Sequence, residues 1–112
     1  MFTLTQLETL RIAYINRLPL EKIPDSIGNL TNLRVLHLEH TQITSLPDSI
    51  CNLTKLEELL LDDTKLEALP ENIGNLTRLK RLLLSNTKLT SLPESIWALE
   101  LDELDMSGTE VK

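Results

Sequence analysis

Aromatic residues are scarce in this chain: one Phe, one Tyr and one Trp among 112 residues. A compact globule of this length usually fills its core partly with large rings, so this core must be built otherwise. A single cysteine, Cys51, excludes an internal disulfide and fits a reducing, intracellular setting. No apolar run approaches the roughly 18 residues of a membrane-spanning helix, so no membrane role is expected. The opening MFTLTQLETLR has neither the basic start nor the apolar run of a secretion signal. Lys and Arg number 11 against 17 Asp and Glu, a net charge of −6. A phosphate backbone would be repelled overall, which argues against a nucleic-acid partner.

What is abundant is leucine, with 27 residues, far above ordinary usage. The leucines are ordered. Aligned at the proline, the chain reads IPDSIGNLTNLRVLHLEHTQITS from Ile23, LPDSICNLTKLEELLLDDTKLEA from Leu46 and LPENIGNLTRLKRLLLSNTKLTS from Leu69. A fourth line, LPESIWALELDELDMSGTEVK from Leu92, is one residue shorter between Leu99 and Leu104. The segment before Ile23 fits the same frame, with Leu4, Leu7 and Leu10 in apolar slots. A fixed period with apolar letters in fixed places is the signature of a solenoid. The chain divides into one domain, 1–112: an incomplete first repeat over 1–22, full repeats over 23–45, 46–68 and 69–91, and a truncated last repeat over 92–112.

Each unit has two halves. Leu56, Leu59, Leu61 and Thr64 end a stretch that alternates fixed and variable positions, the period of a strand. The LPxxIxxL half places an acid after proline and then an apolar spacing of three, which suits a short helical turn. Stacked units form a parallel sheet with strands about 4.8 Å apart. Leu36, Leu59 and Leu82 form one inward row, and Leu38, Leu61 and Leu84 the next. Thr41, Thr64, Thr87 and Thr109 end the strand halves, where a hydroxyl can bond the turn backbone. Leu18 and Pro19 break that rule in the first unit.

On these residues the chain resembles the leucine-rich repeat proteins, in particular the 23-residue intracellular class with the pattern LxxLxLxxNxLxxLPxxIxxLxx. That class is known from Ras-pathway scaffolds and Scribble-type proteins, and similar repeats occur in plant immune receptors and bacterial effectors. Thr stands where the pattern has Asn, which implies a thinner hydrogen-bond ladder at that turn. The resemblance implies an α/β solenoid of about four and a half repeats. Its concave side is a parallel β-sheet, and short helical or 3₁₀ turns form the convex side. It also implies a non-catalytic, cytoplasmic module for protein–protein interaction. The alternative is the recognition segment of a larger enzyme or receptor, such as a secreted bacterial effector or an immune sensor.

The residues give no catalytic constellation. Cys51 sits in the return half, where other units have Gly28, Gly74 and Trp97, so a Cys–His pair with His37 or His40 is excluded by geometry. The histidines lie three apart, on opposite faces of a strand. Glu39, Asp62 and Asp63 form an acidic cluster, fewer oxygens than the six to eight a hard cation takes; no metal or cofactor is expected. Asn29, Asn52 and Asn75 open NLT triplets, which the repeat itself explains.

Variable strand positions point out of the sheet. The middle row is read as Tyr14, His37, Leu60, Leu83 and Asp105, and the row before it as Ile12, Val35, Glu58, Arg81 and Glu103. Ile12, Tyr14, Val35, Leu60 and Leu83 would then form an apolar strip, edged by Glu39, Asp62 and Asp63, with His37 and Arg81 beside it. An apolar centre with a charged rim is how protein interfaces are built. At the start, TQLE from Thr5 to Glu8 matches a capping box and predicts a helix covering the stack. At the other end Leu101, Leu104 and Met106 point inward with no cap in view. Such an edge tolerates exposure, pairs weakly with a second copy, or is covered by further chain.

Overall fold

The computed structural model describes residues 6–12 and 20–111. Five three-residue strands, β1 (Thr9–Arg11), β2 (Val35–His37), β3 (Glu58–Leu60), β4 (Arg81–Leu83) and β5 (Glu103–Asp105), form one parallel sheet in sequence order. Between them the return segments carry 3₁₀ turns at Asp25–Asn29, Asp48–Asn52, Ile73–Asn75 and Glu94–Ala98. Pro24, Pro47 and Pro93 cap three of these turns with φ of −68°, −69° and −66°, each followed by an acid in the first turn. The proline carbonyl accepts from the isoleucine three residues on, at 3.1 Å from Ile27, Ile50 and Ile96 and 3.2 Å from Ile73.

The core is a stack of leucine and isoleucine rows. Leu36, Leu59 and Leu82 stand in register on neighbouring strands and are fully buried, as are Leu38, Leu61 and Leu84. One unit cannot bury these side chains alone, so each acts as the neighbour's core wall. The four threonines close the strand ends as expected. Their hydroxyls donate to the carbonyls of Leu38, Leu61, Leu84 and Met106 at 2.7–2.9 Å. The residue before each threonine turns the chain through the left-handed region: His40, Asp63, Asn86 and Gly108 have φ of 59°, 56°, 55° and 75°.

The first unit departs from the expected frame. Leu10, and not Ala13, pairs with Leu36, with Thr9 beside Val35 and Arg11 beside His37. The slip is three residues. It places a leucine in the inward row where a strict period would place the smaller alanine, and so buries more apolar surface there. An odd slip exchanges the faces of a strand. Ile12 therefore leaves the outward row: its N–H donates to the His37 carbonyl at 2.8 Å, and its side chain packs against the core. The expected capping helix begins at the edge of the described residues, where Gln6 lies in a 3₁₀ turn. Thr5 lies outside the described residues, and Leu7 and Glu8 carry no helix. The Glu8 carbonyl accepts from Arg34 and Val35 N–H at 2.7 and 3.0 Å, which commits it to the sheet.

At the far end Leu101, Leu104 and Met106 are half-buried against the core. Leu104 stands next to the fully buried Leu82 in the same row; it is covered on one side only.

Candidate functional site

The outward face of the sheet is the candidate site. Its middle row runs Arg11, His37, Leu60, Leu83, Asp105, and the row before it Thr9, Val35, Glu58, Arg81, Glu103. Val35, Leu60 and Leu83 are half-buried there. The apolar strip is therefore shorter than the sequence suggested: Ile12 has turned inward, and Tyr14 lies outside the described residues. Leu60 and Leu83 remain as an in-register pair at its centre.

Charge surrounds that pair in an ordered way. Arg81 bridges two carboxylates, Nη1 to Glu58 Oε1 and Nε to Glu103 Oε1, both at 2.8 Å. Hydrogen bonding to Glu103, and then attraction to both acids, raises the guanidinium pKa further, so its charge is fixed. His37 stands between Glu58, at 3.7 Å from Nε2, and Glu39, at 4.0 Å from Nδ1. Both distances exceed a hydrogen bond, and His37 Nε2 and Glu39 Oε2 are buried without a hydrogen-bond partner. Asp62 uses Oδ1 to accept from the Ser85 N–H at 3.0 Å. Asp105 accepts from both the N–H and the hydroxyl of Ser107, at 2.9 and 2.8 Å, and these bonds hold its carboxyl below its ordinary value.

Asp63 belongs to the turn beyond the strand. Its carboxylate meets His40 Nε2 at 3.2 Å, with both side chains partly exposed. It forms part of the rim, not of the face. Cys51 is buried in the 3₁₀ turn of the convex side. Burial, and then the nearby Asp48 charge, pushes its thiol above the ordinary value, which disfavours the reactive thiolate. Among the described residues no group of three His, Cys, Asp or Glu side chains is arranged to hold a metal ion. Among them, too, no helix is long and apolar enough to cross a membrane.

Trp97 was not singled out from the sequence as a site residue. It is the one large apolar side chain among the described residues left exposed, at 69%, and it lines a cleft with Leu92, Met106 and Val111. The available signal was its place: the only tryptophan occupies the slot that holds Gly28 and Gly74 in other units.

Comparison with known proteins agrees with this architecture. The family described as "Leucine-rich repeat region" matches residues 1–82, and the one described as "Leucine Rich Repeat" matches residues 78–99. No curated protein matches the chain. Among solved structures, a Leptospira interrogans LRR protein superposes with a TM-score of 0.84 at 30% identity, over 96% of this chain and 33% of that one. The leucine-rich repeat domain of the type III effector XopL gives 0.83 at 29% identity, over 94% of this chain and 38% of that one. A chain of the BIR3–SERK2 complex from Arabidopsis thaliana gives 0.76 at 29% identity, over 89% and 55%. The chain thus spans a third to just over half the length of these structures. The 23-residue stacking, the parallel sheet and the match over residues 1–82 together place the chain in the leucine-rich repeat family.

Proposed function

We propose that this chain is a non-catalytic, cytoplasmic module that binds a partner protein across its concave sheet face. Leucine-rich repeats commonly mediate protein–protein interaction, and the similar structures include an effector domain and a chain from a receptor complex. The observation that carries the reading is the in-register pair Leu60 and Leu83, set outward on a sheet whose other outward positions are mostly polar. Apolar groups central to a polar-rimmed surface supply most of the energy in such contacts. The single cysteine, buried and free, supports an intracellular setting.

A second reading is a recognition segment of a larger effector or receptor, supported by the similarity over 94% of this chain to the leucine-rich repeat domain of a type III effector. The binding face is the same in both readings.

The test is capture from native lysate with the intact chain and with a Leu60→Ser, Leu83→Ser variant, followed by cross-link mapping. Partner cross-links confined to the strand face and lost in the variant support the reading. Equal capture by the variant, with cross-links on the convex turns, overturns it.

A further inference from the structure

We infer that the segment received by the concave face is an extended stretch of a partner protein that crosses the strands, with an apolar side chain over Leu60 and Leu83 and Lys or Arg on either side of it. This rests on the reading of the sheet face as the binding surface and adds the chemistry of what binds.

The argument is one of charge and spacing. The ion pairs on this face among the described residues are those of Arg81 with Glu58 and Glu103, while the His37 ring lies 3.7 and 4.0 Å from Glu58 and Glu39, beyond a hydrogen bond. None reaches Asp62 or Asp105. Glu39 and Asp62 occupy equivalent places 23 residues apart on adjacent units, a like-charged neighbour pair of the kind that destabilises a sheet. Glu39 also keeps a buried oxygen without a donor. Cationic groups from outside would offset the repulsion between Glu39 and Asp62. At the β5 end, Asp105 closes the middle row with a carboxylate kept ionised by Ser107.

The spacing selects the shape of the segment. Strands lie about 4.8 Å apart, so the midpoint of Leu60 and Leu83 is roughly 7 Å from Asp105 along the row and the same from His37, beside Glu39. Side chains two residues apart on an extended chain are about 6.8 Å apart on one face. The fitting pattern is therefore cation, any residue, apolar residue, any residue, cation. An acidic segment would meet the same carboxylates at the cost of repulsion.

The probes are two capped pentapeptides, Lys-Ser-Leu-Ser-Lys and Glu-Ser-Leu-Ser-Glu, titrated into methyl-labelled protein at low salt. The lysine peptide should shift the Leu60 and Leu83 methyl resonances saturably, and the glutamate peptide should not. A folded Asp62→Asn, Asp105→Asn variant should bind the lysine peptide about tenfold more weakly, as two partly exposed pairs allow. Stronger shifts from the glutamate peptide would overturn the cationic class and leave the face itself standing. Lysine-peptide binding that leaves both methyls unmoved would overturn the class and the face together. No shift from either probe at millimolar concentration also overturns the inference, while capture of the native partner tests the face separately.

Discussion

Leu59 and Leu60 are neighbours in sequence and belong to opposite faces of the sheet, so replacing each by alanine separates stacking from recognition. Leu59 is fully buried between Leu36 and Leu82, which are themselves fully buried. Leu→Ala in a core costs about 2–5 kcal/mol, the larger values where the walls cannot collapse. Both walls here are fixed by their own neighbours, so Leu59→Ala should cost about 3–4 kcal/mol. Leu60 is partly exposed. Losing three carbons at about 0.8 kcal/mol each when fully buried, and about three quarters of that for this largely covered side chain, gives about 2 kcal/mol. Urea unfolding of the two variants measures the difference, read as a shift in midpoint at constant slope. A domain of this size holds about 5–15 kcal/mol in total, and a gap of about 1–2 kcal/mol shows as a distinct midpoint. Equal losses from the two substitutions would refute the strand register and with it the assignment of the binding face.

Gly28→Ala should cost about 1–3 kcal/mol in the same assay, because an added Cβ meets the Ser49 carbonyl oxygen at 2.7 Å; an unchanged midpoint would mean the units stand further apart. Thr64→Val keeps the shape but removes the 2.8 Å bond to the Leu61 carbonyl, an expected loss of about 1–2 kcal/mol. Asp105 should titrate below its ordinary value of 3.8 by carbon-detected NMR, and Ser107→Ala should return it toward that value. Because the folded pKa is the lower one, the stabilisation is present above the ordinary carboxylate range and disappears as pH falls through the folded value. The half-covered Met106 beside the exposed backbone of β5 should support weak self-association, seen by sedimentation at high concentration. Added salt should strengthen it by screening Asp102, Glu103 and Asp105, and Met106→Glu should abolish it.

Much of the fold was legible because two periods coincide in one sequence. A repeat of 23 placed every interior unit, and alternation within each strand assigned Leu36, Leu59 and Leu82 to the core and His37, Leu60 and Leu83 to the face. The first unit escaped because Ala13 and Leu10 both satisfy a loose apolar pattern, and only packing against Leu36 decides between them. Ile12 was misplaced for that reason alone. The left-handed turn residues left a fainter trace: Asp63, Asn86 and Gly108 are all types that tolerate positive φ. Asp63 drew attention first as a charge, and its pairing with His40 depends on turn geometry that no spacing rule supplies. The Glu58–Arg81–Glu103 bridge follows from the register once it is known.

What periodicity cannot express is compensation between one unit and the next. Gly28 and Gly74 lie against Ser49 and Ser95 of the following units, and those serines donate their hydroxyls back to the carbonyls of Asp25 and Glu71 at 2.7 and 2.6 Å. Cys51 occupies the same slot as the glycines, and the unit after it changes to match. Asn72 replaces the serine there, and the 3₁₀ turn begins only at Ile73. At Cys51 a side chain in this slot goes with a reshaped next layer. Trp97 fills the slot with the largest side chain available. A layer of the Ser49 or Ser95 kind cannot lie against it as it lies against Gly28 and Gly74. Trp97 thus presents a surface unlike that at Gly28 and Gly74, a difference that shows only in the pairing between layers and that a column-by-column reading of the repeat leaves invisible.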